Sequence, residues 1–308
     1  MKRRSFLAAS AAASVVSSTG IISAASAEEK SVKSNGAKFK LKYAPSLSMF
    51  RSHVGKGIVD NISFIADQGF TAIFDNGLMR RPQADQKLIA SELAKRNMDF
   101  GPFVLYADFK TESFVLNNNR EVRDMLAKKM KEGVEVAKRV NAKWALVVPG
   151  RYNTKLHRDY QTANVIDNLR YCMDVVEKSG LVIVLEPLNA HVNHPGLFLT
   201  GIPQAYMICK SVNSPSCKIV DDLYHQQITE GHLIPNLDMA WDQIASFHLG
   251  DNPGRNEPGT GEINYKNIFK HLYNKKYDGV LCMEHGKSIK GIEGEKALIE
   301  AYRACDNF

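Results

Sequence analysis

Residues 244–265 read I-A-S-F-H-L-G-D-N-P-G-R-N-E-P-G-T-G-E-I-N-Y, a short apolar run that ends at His248 and Leu249 and gives way to a polar stretch punctuated by glycine and proline. The run has the length and apolarity of a buried strand, and the stretch after it has the composition of a loop. His248, Asp251, Arg255, Glu257 and Glu262 crowd into fifteen residues, which is the density of chemistry that α/β barrels keep at the carboxyl ends of their strands. The plainer alternative is a solvated loop whose Thr260 and Glu262 lead into the amphipathic run 265–273.

Working outward, strand-like runs recur at 41–45, 72–74, 100–105, 144–148, 182–185, 217–220, 244–248 and 279–283. Helical periodicity fills the intervals at 58–68, 84–96, 120–140, 160–178, 202–211, 265–274 and 294–305. Gly69, Asn97, Asn141 and Gly180 follow helical runs as residues that tolerate a left-handed cap. Eight βα units predict a closed parallel barrel in one domain, residues 38–308. An open doubly wound sheet competes, but neither G-x-G-x-x-G after the first strand nor G-x-x-x-x-G-K-[ST] occurs in the chain.

The amino end reads M-K-R-R-S-F-L, then a mildly apolar Ala/Ser/Val run that closes on Ala25-Ser26-Ala27. This predicts a twin-arginine export signal at 1–27, a polar tether at 28–37 and a periplasmic address. Removing the signal lowers the formal charge from +7 to +4, and the remaining lysines and arginines are scattered singly along helical faces. That pattern argues against a nucleic-acid stripe. No second hydrophobic span follows, so no membrane partner is expected beyond the signal. The five cysteines (172, 209, 217, 282 and 305) lack a C-x-x-C pair and read as buried filler, although Cys209 and Cys217 are near enough in sequence to bridge.

Four consecutive strands end in metal-ligand types. The fifth delivers Glu186, the sixth Asp221, Asp222 and His225, the seventh His248 and Asp251, and the eighth Glu284 and His285. Singly, each has a structural explanation as a cap, turn or core hydrogen-bonder. Closing a barrel brings the four ends to one rim, where two glutamates, an aspartate and a histidine can share one divalent cation. A mostly oxygen shell suits Mg²⁺ or Mn²⁺ and tolerates Co²⁺.

The string from Pro253 to Tyr265, together with Leu47-Ser48-Met49-Phe50, the span from Asp222 to His225 and the turn Asn193-His194-Pro195-Gly196, resembles the hydroxypyruvate isomerase family of the xylose-isomerase-like barrels. The resemblance covers most of the chain after the signal and is weakest between Met79 and Tyr160. It implies a metal held by Glu186, Asp222, His248 and Glu284, with Glu186 and Glu284 also acting on opposite faces of a small hydroxy-carbonyl acid or sugar. It favours Asp222 over Asp221 and implies substrate contacts from His225, Arg255, Asn193, His194 and Glu257. Two positions depart from the hydroxypyruvate isomerase pattern. His248 stands where glutamine is usual and is similar to ketose 3-epimerases, and Asp75-Asn76 follow the second strand where many relatives carry glutamate.

The implied activity is isomerisation of hydroxypyruvate to tartronate semialdehyde through an ene-diolate, whose charge a divalent cation stabilises. A ketose 3-epimerase or a keto-sugar or inosose dehydratase could use the same groups. The endonuclease branch of these barrels requires further histidines on strands two and three, where this chain has Asp75 and Tyr106. A non-catalytic sugar-binding module would not need both glutamates.

Overall fold

A computed structural model describes residues 36–117 and 119–308; the expected signal and all but the last two residues of the expected tether lie outside the described residues. The strands form where the apolar runs place them: β1 (Lys42–Pro45), β2 (Ala72–Ile73), β3 (Asp99–Phe100), β4 (Phe103–Ala107), β5 (Trp144–Val148), β6 (Val182–Leu185), β7 (Cys217–Asp222), β8 (Ile244–Leu249) and β9 (Val280–Met283). The third expected strand is split into β3 and β4 because Pro102 has no N–H to give the ladder.

Hydrogen bonding runs parallel in the order β1-β9-β8-β7-β6-β5-β4, and β2 pairs with β3. The ring closes where Ser46 bridges Phe74, with Leu47 N–H donating to Phe74 O and Phe74 N–H to Pro45 O. With β3 and β4 counted as one broken strand, the described residues form a (β/α)8 barrel, a TIM barrel.

The helices are α1 (Arg51–Val54), α2 (Ile58–Asp67), α3 (Gln83–Arg96), α4 (Arg120–Val140), α5 (Arg158–Val176), α6 (Ile202–Val212), α7 (Leu223–Thr229), α8 (Leu233–Met239), α9 (Tyr265–Asn274) and α10 (Gly291–Asp306). Among the described residues none is long and apolar enough to cross a membrane. Asn97 (φ 52°) and Asn141 (φ 54°) terminate α3 and α4 in the left-handed region. Asparagine tolerates this at little cost because its short polar side chain bonds locally.

Strands β5, β6, β7 and β9 bury nearly every residue on both faces, which is why they read as continuous apolar runs rather than alternations. Ile183, Leu185, Ile219, Phe247 and Leu281 belong to the main core with the helices. The alternate residues Val184 and Val220 cluster with Leu146, Val148 and Leu188. The five cysteines are free thiols; the Sγ atoms of Cys209 and Cys217 lie 4.0 Å apart, both buried.

Candidate metal centre and cavity

At the carboxyl ends of β6 to β9 the strand register sets the site. Asp222 lies opposite His248 across β7 and β8, His248 lies opposite Cys282 across β8 and β9, and Glu186 and Glu284 follow the last residues of β6 and β9. Glu186, Asp222, His248 and Glu284 each present one ligand atom, and these four atoms lie within 4.8 Å of one another. The Nδ1 of His248 is 3.0 Å from Glu186 Oε1 and 3.0 Å from Glu284 Oε2. The barrel therefore brings together the two glutamates, aspartate and histidine expected at one rim.

Side-chain alternation separates the aspartate pair. Asp222 caps α7, its Oδ1 accepting from the N–H groups of Tyr224 and His225 at 2.9 and 3.2 Å, and its Oδ2 remains for the cluster. Asp221 is fully buried and neither of its oxygens has a hydrogen-bond partner. Burial, reinforced by the charges of Asp222 and Glu230, pushes its carboxyl well above the usual range.

The two glutamates are driven apart. Burial and the nearby Glu284 charge raise Glu186 above the ordinary carboxylate range, against the opposing pull of His248. Burial would raise Glu284 too, but His248, Arg255 and Asn76 hold it well below that range. Burial alone would lower His248, yet the Glu284 charge and contacts with Cys282 and Glu186 leave it raised. Three carboxylates in so small a volume call for compensating positive charge. A hard oxygen set with one imidazole fits a divalent cation of the Mg²⁺, Mn²⁺ or Co²⁺ kind, which Glu186, Asp222, His248 and Glu284 would hold.

A cavity of about 710 Å³ opens beside this cluster, lined at one end by Glu186, His225, Arg255 and Glu284 and also by Tyr106, Phe109 and His194. His225 is oriented by Asn189, whose backbone N–H lies 3.3 Å and whose Nδ2 lies 2.6 Å from its Nδ1. With two N–H donors on Nδ1, the ring proton belongs on Nε2, which is buried, has no hydrogen-bond partner and lies 3.7 Å from Asp222 Oδ2. Burial pushes His225 down to about 4, with Arg255 adding to that effect, so the ring is neutral at neutral pH.

Arg255 reaches the cluster from the loop after β8. That loop is organised by Asp251, whose Oδ1 accepts from the N–H groups of Asn252 and Ile263 and whose Oδ2 accepts from those of Gly259 and Gly261. Asp251, expected as one of the rim carboxylates, is thus spent on the backbone. His285 turns away too, its Nε2 2.8 Å from Tyr302 Oη.

Two expected substrate contacts are committed elsewhere. Glu257 is buried and its carboxylate accepts from the backbone N–H and hydroxyl of Ser288, which ties the loop to the segment after β9. Asn193 is exposed, does not line the cavity and accepts at 2.8 Å from Asn189 Nδ2, so it supports the residue that orients His225. His194 does line the cavity, with its ring stacked on Phe109 at 5.2 Å between centroids.

Residues that the strand-end pattern missed are Asn189, already described, and Asn76, which donates to Glu284 Oε1. Asn76 stands just past β2, and a systematic reading of every strand end, polar amides included, would have found it. At strands two and three, Asp75 pairs with Arg81 and Tyr106 Oη bonds Asp108 and Ser113. Both are occupied by local structure.

The model of the xylose isomerase-like TIM barrel family matches residues 62–306. Hydroxypyruvate isomerase of Escherichia coli (strain K12) is 39% identical over 123 residues, 40% of this chain and 47% of that protein. The matched stretch thus spans about half of that relative's length. The 2-oxo-tetronate isomerase of Pectobacterium atrosepticum is 28% identical over 264 residues, 84% of this chain and 98% of that protein. The crystal structure of D-psicose 3-epimerase from Clostridium cellulolyticum H10 superposes with a TM-score of 0.65 at 16% identity, over 87% of this chain and 92% of that one, a likeness of fold.

Proposed function

The chain belongs to the xylose isomerase-like TIM barrel family, and from that premise we propose that it is a metal-dependent isomerase of a small hydroxy-carbonyl acid of the hydroxypyruvate or 2-oxo-tetronate kind. The observation that carries the reading is the convergence of two glutamates, an aspartate and a histidine within 4.8 Å at the mouth of a closed barrel.

Moving a carbonyl to the neighbouring carbon requires removal of a carbon-bound proton and its return one carbon along. A bound divalent cation would supply Lewis-acid stabilisation of the charge that develops on the two substrate oxygens. Glu284 and Glu186, which converge on the cation site from the ends of two strands, are the groups suited to take the proton and to return it. His225 donates from Nε2 to a substrate oxygen, and Arg255 offers charge-assisted hydrogen bonds to a substrate carboxylate.

A ketose 3-epimerase or a keto-sugar dehydratase is the second reading, favoured by a cavity of about 710 Å³, far more than a three-carbon acid fills. Solvent deuterium uptake tests both readings. The protein is stripped with a chelator, then assayed on hydroxypyruvate and a panel of ketoses with and without Mn²⁺ or Mg²⁺. Cation-dependent exchange next to the carbonyl is expected, with isomerised product from the oxo acid. Exchange in a ketose with inversion at C3 selects the epimerase, and no exchange in a cation-loaded protein removes both.

A further inference from the structure

Arg255 occupies the oxygens that a cation needs. Its Nη2 donates to Asp222 Oδ2 at 2.7 Å and to Glu284 Oε2 at 2.8 Å. The other oxygen of each carboxylate is already engaged, Asp222 Oδ1 by the start of α7 and Glu284 Oε1 by Asn76. The guanidinium is pinned from several sides. Its Nε donates to Glu284 O at 3.1 Å, its plane lies over the Tyr224 ring at 4.9 Å, and its backbone takes φ 50°, with its N–H given to Asp251 O and its carbonyl accepting from Gly286 N–H. An arginine adopts that conformation uncommonly. The loop is built to set a permanent positive charge against the donor set.

We propose that Arg255 restrains cation binding in the substrate-free protein, and that an anionic substrate group relieves the restraint by taking over the guanidinium. Cation and carboxylate-bearing substrate then bind cooperatively, each tightening the other by the same factor, as linkage requires. A neutral ketose would not draw the guanidinium away, so the coupling that Arg255 adds belongs to acids and not to uncharged sugars. This inference rests on the metal centre proposed above.

The test is isothermal titration of the chelator-stripped protein with MnCl2, for wild type, Arg255→Met and Arg255→Lys, with circular dichroism confirming the fold of each. The expected result is Mn²⁺ binding at least tenfold tighter in R255M, and within threefold of wild type in R255K, which keeps the charge. Adding saturating D-glycerate, which carries a carboxylate but no carbonyl, should tighten Mn²⁺ binding to wild type several-fold more than to R255M once Mn²⁺–glycerate association in solution is subtracted. Equal or weaker Mn²⁺ binding in R255M, or equal tightening by glycerate in both proteins, overturns the inference. Absence of Mn²⁺ binding in every form, wild type included, removes the metal centre itself, a different failure from loss of the coupling.

Discussion

Glu284 holds a unique place among the carboxylates at the rim because it touches His248, Arg255 and Asn76 at once. Glu284→Gln keeps the volume and removes the charge. It should lower deuterium exchange by about 10²–10⁴-fold or more, with an unchanged circular dichroism spectrum; full exchange in this variant would end the two-glutamate mechanism. Asp221, buried on β7, makes a different prediction. Its folded-state carboxyl titrates above its unfolded value, so the folded protein binds the extra proton and stability falls as pH rises above the ordinary carboxylate range. Asp221→Asn removes that slope. Urea unfolding at pH 8 should find the variant more stable, by about 1.4 kcal/mol for each unit by which burial raises the carboxyl, and the advantage should shrink toward pH 4. An advantage that does not change with pH would show that the Asp221 charge is compensated. The family resemblance favoured Asp222 over Asp221, and the structure shows why the two differ, since adjacent residues on a strand present opposite faces.

At the level of elements, α4 and the third strand are fitted to each other through Gly133. A Cβ added there would lie 2.0 Å from Leu105 Cδ1 and 2.5 Å from its Cγ, and Leu105 is buried. Gly133→Ala should destabilise by about 1–3 kcal/mol from overpacking, even though alanine is the better helix former by about 1 kcal/mol. A higher urea midpoint for the variant would contradict this packing. The long helices, α4 most plainly, and the Asn97 and Asn141 caps were legible in the sequence because helical periodicity and left-handed caps are local properties. Helix α7, Leu223–Thr229, was not. Seven residues carry too little period, and its start is fixed by Asp222, which the sequence presented as either a cap or a ligand and which caps the helix through Oδ1. The split of the third strand follows from Pro102, whose missing donor was visible but whose register was not.

On the scale of the whole molecule, the export signal is a proposal that the amino-terminal sequence alone supports. Expression in a bacterium with an active twin-arginine pathway should yield a periplasmic protein whose mass begins at Glu28, and replacing Arg3 and Arg4 with lysine should hold it in the cytoplasm; a full-length protein in wild-type cells would refute the cleavage. The barrel itself was readable because eight apolar runs separated by helical patterns leave few ways to bury a parallel sheet on both faces. Sequence by itself determined the fold class, the caps of α3 and α4 and the presence of a carboxylate or imidazole at four successive strand ends. Tertiary structure decided which of those groups meet. It turned Asp222 inward and left Asp221 without a partner, spent Asp251 and Glu257 on holding a loop, gave Asn193 to Asn189, and set Arg255 on the oxygens of Asp222 and Glu284. The physical reason is that a side chain's role depends on its hydrogen-bond partners. At this rim those partners come from strands and loops distant in sequence, brought into register only when the barrel closes.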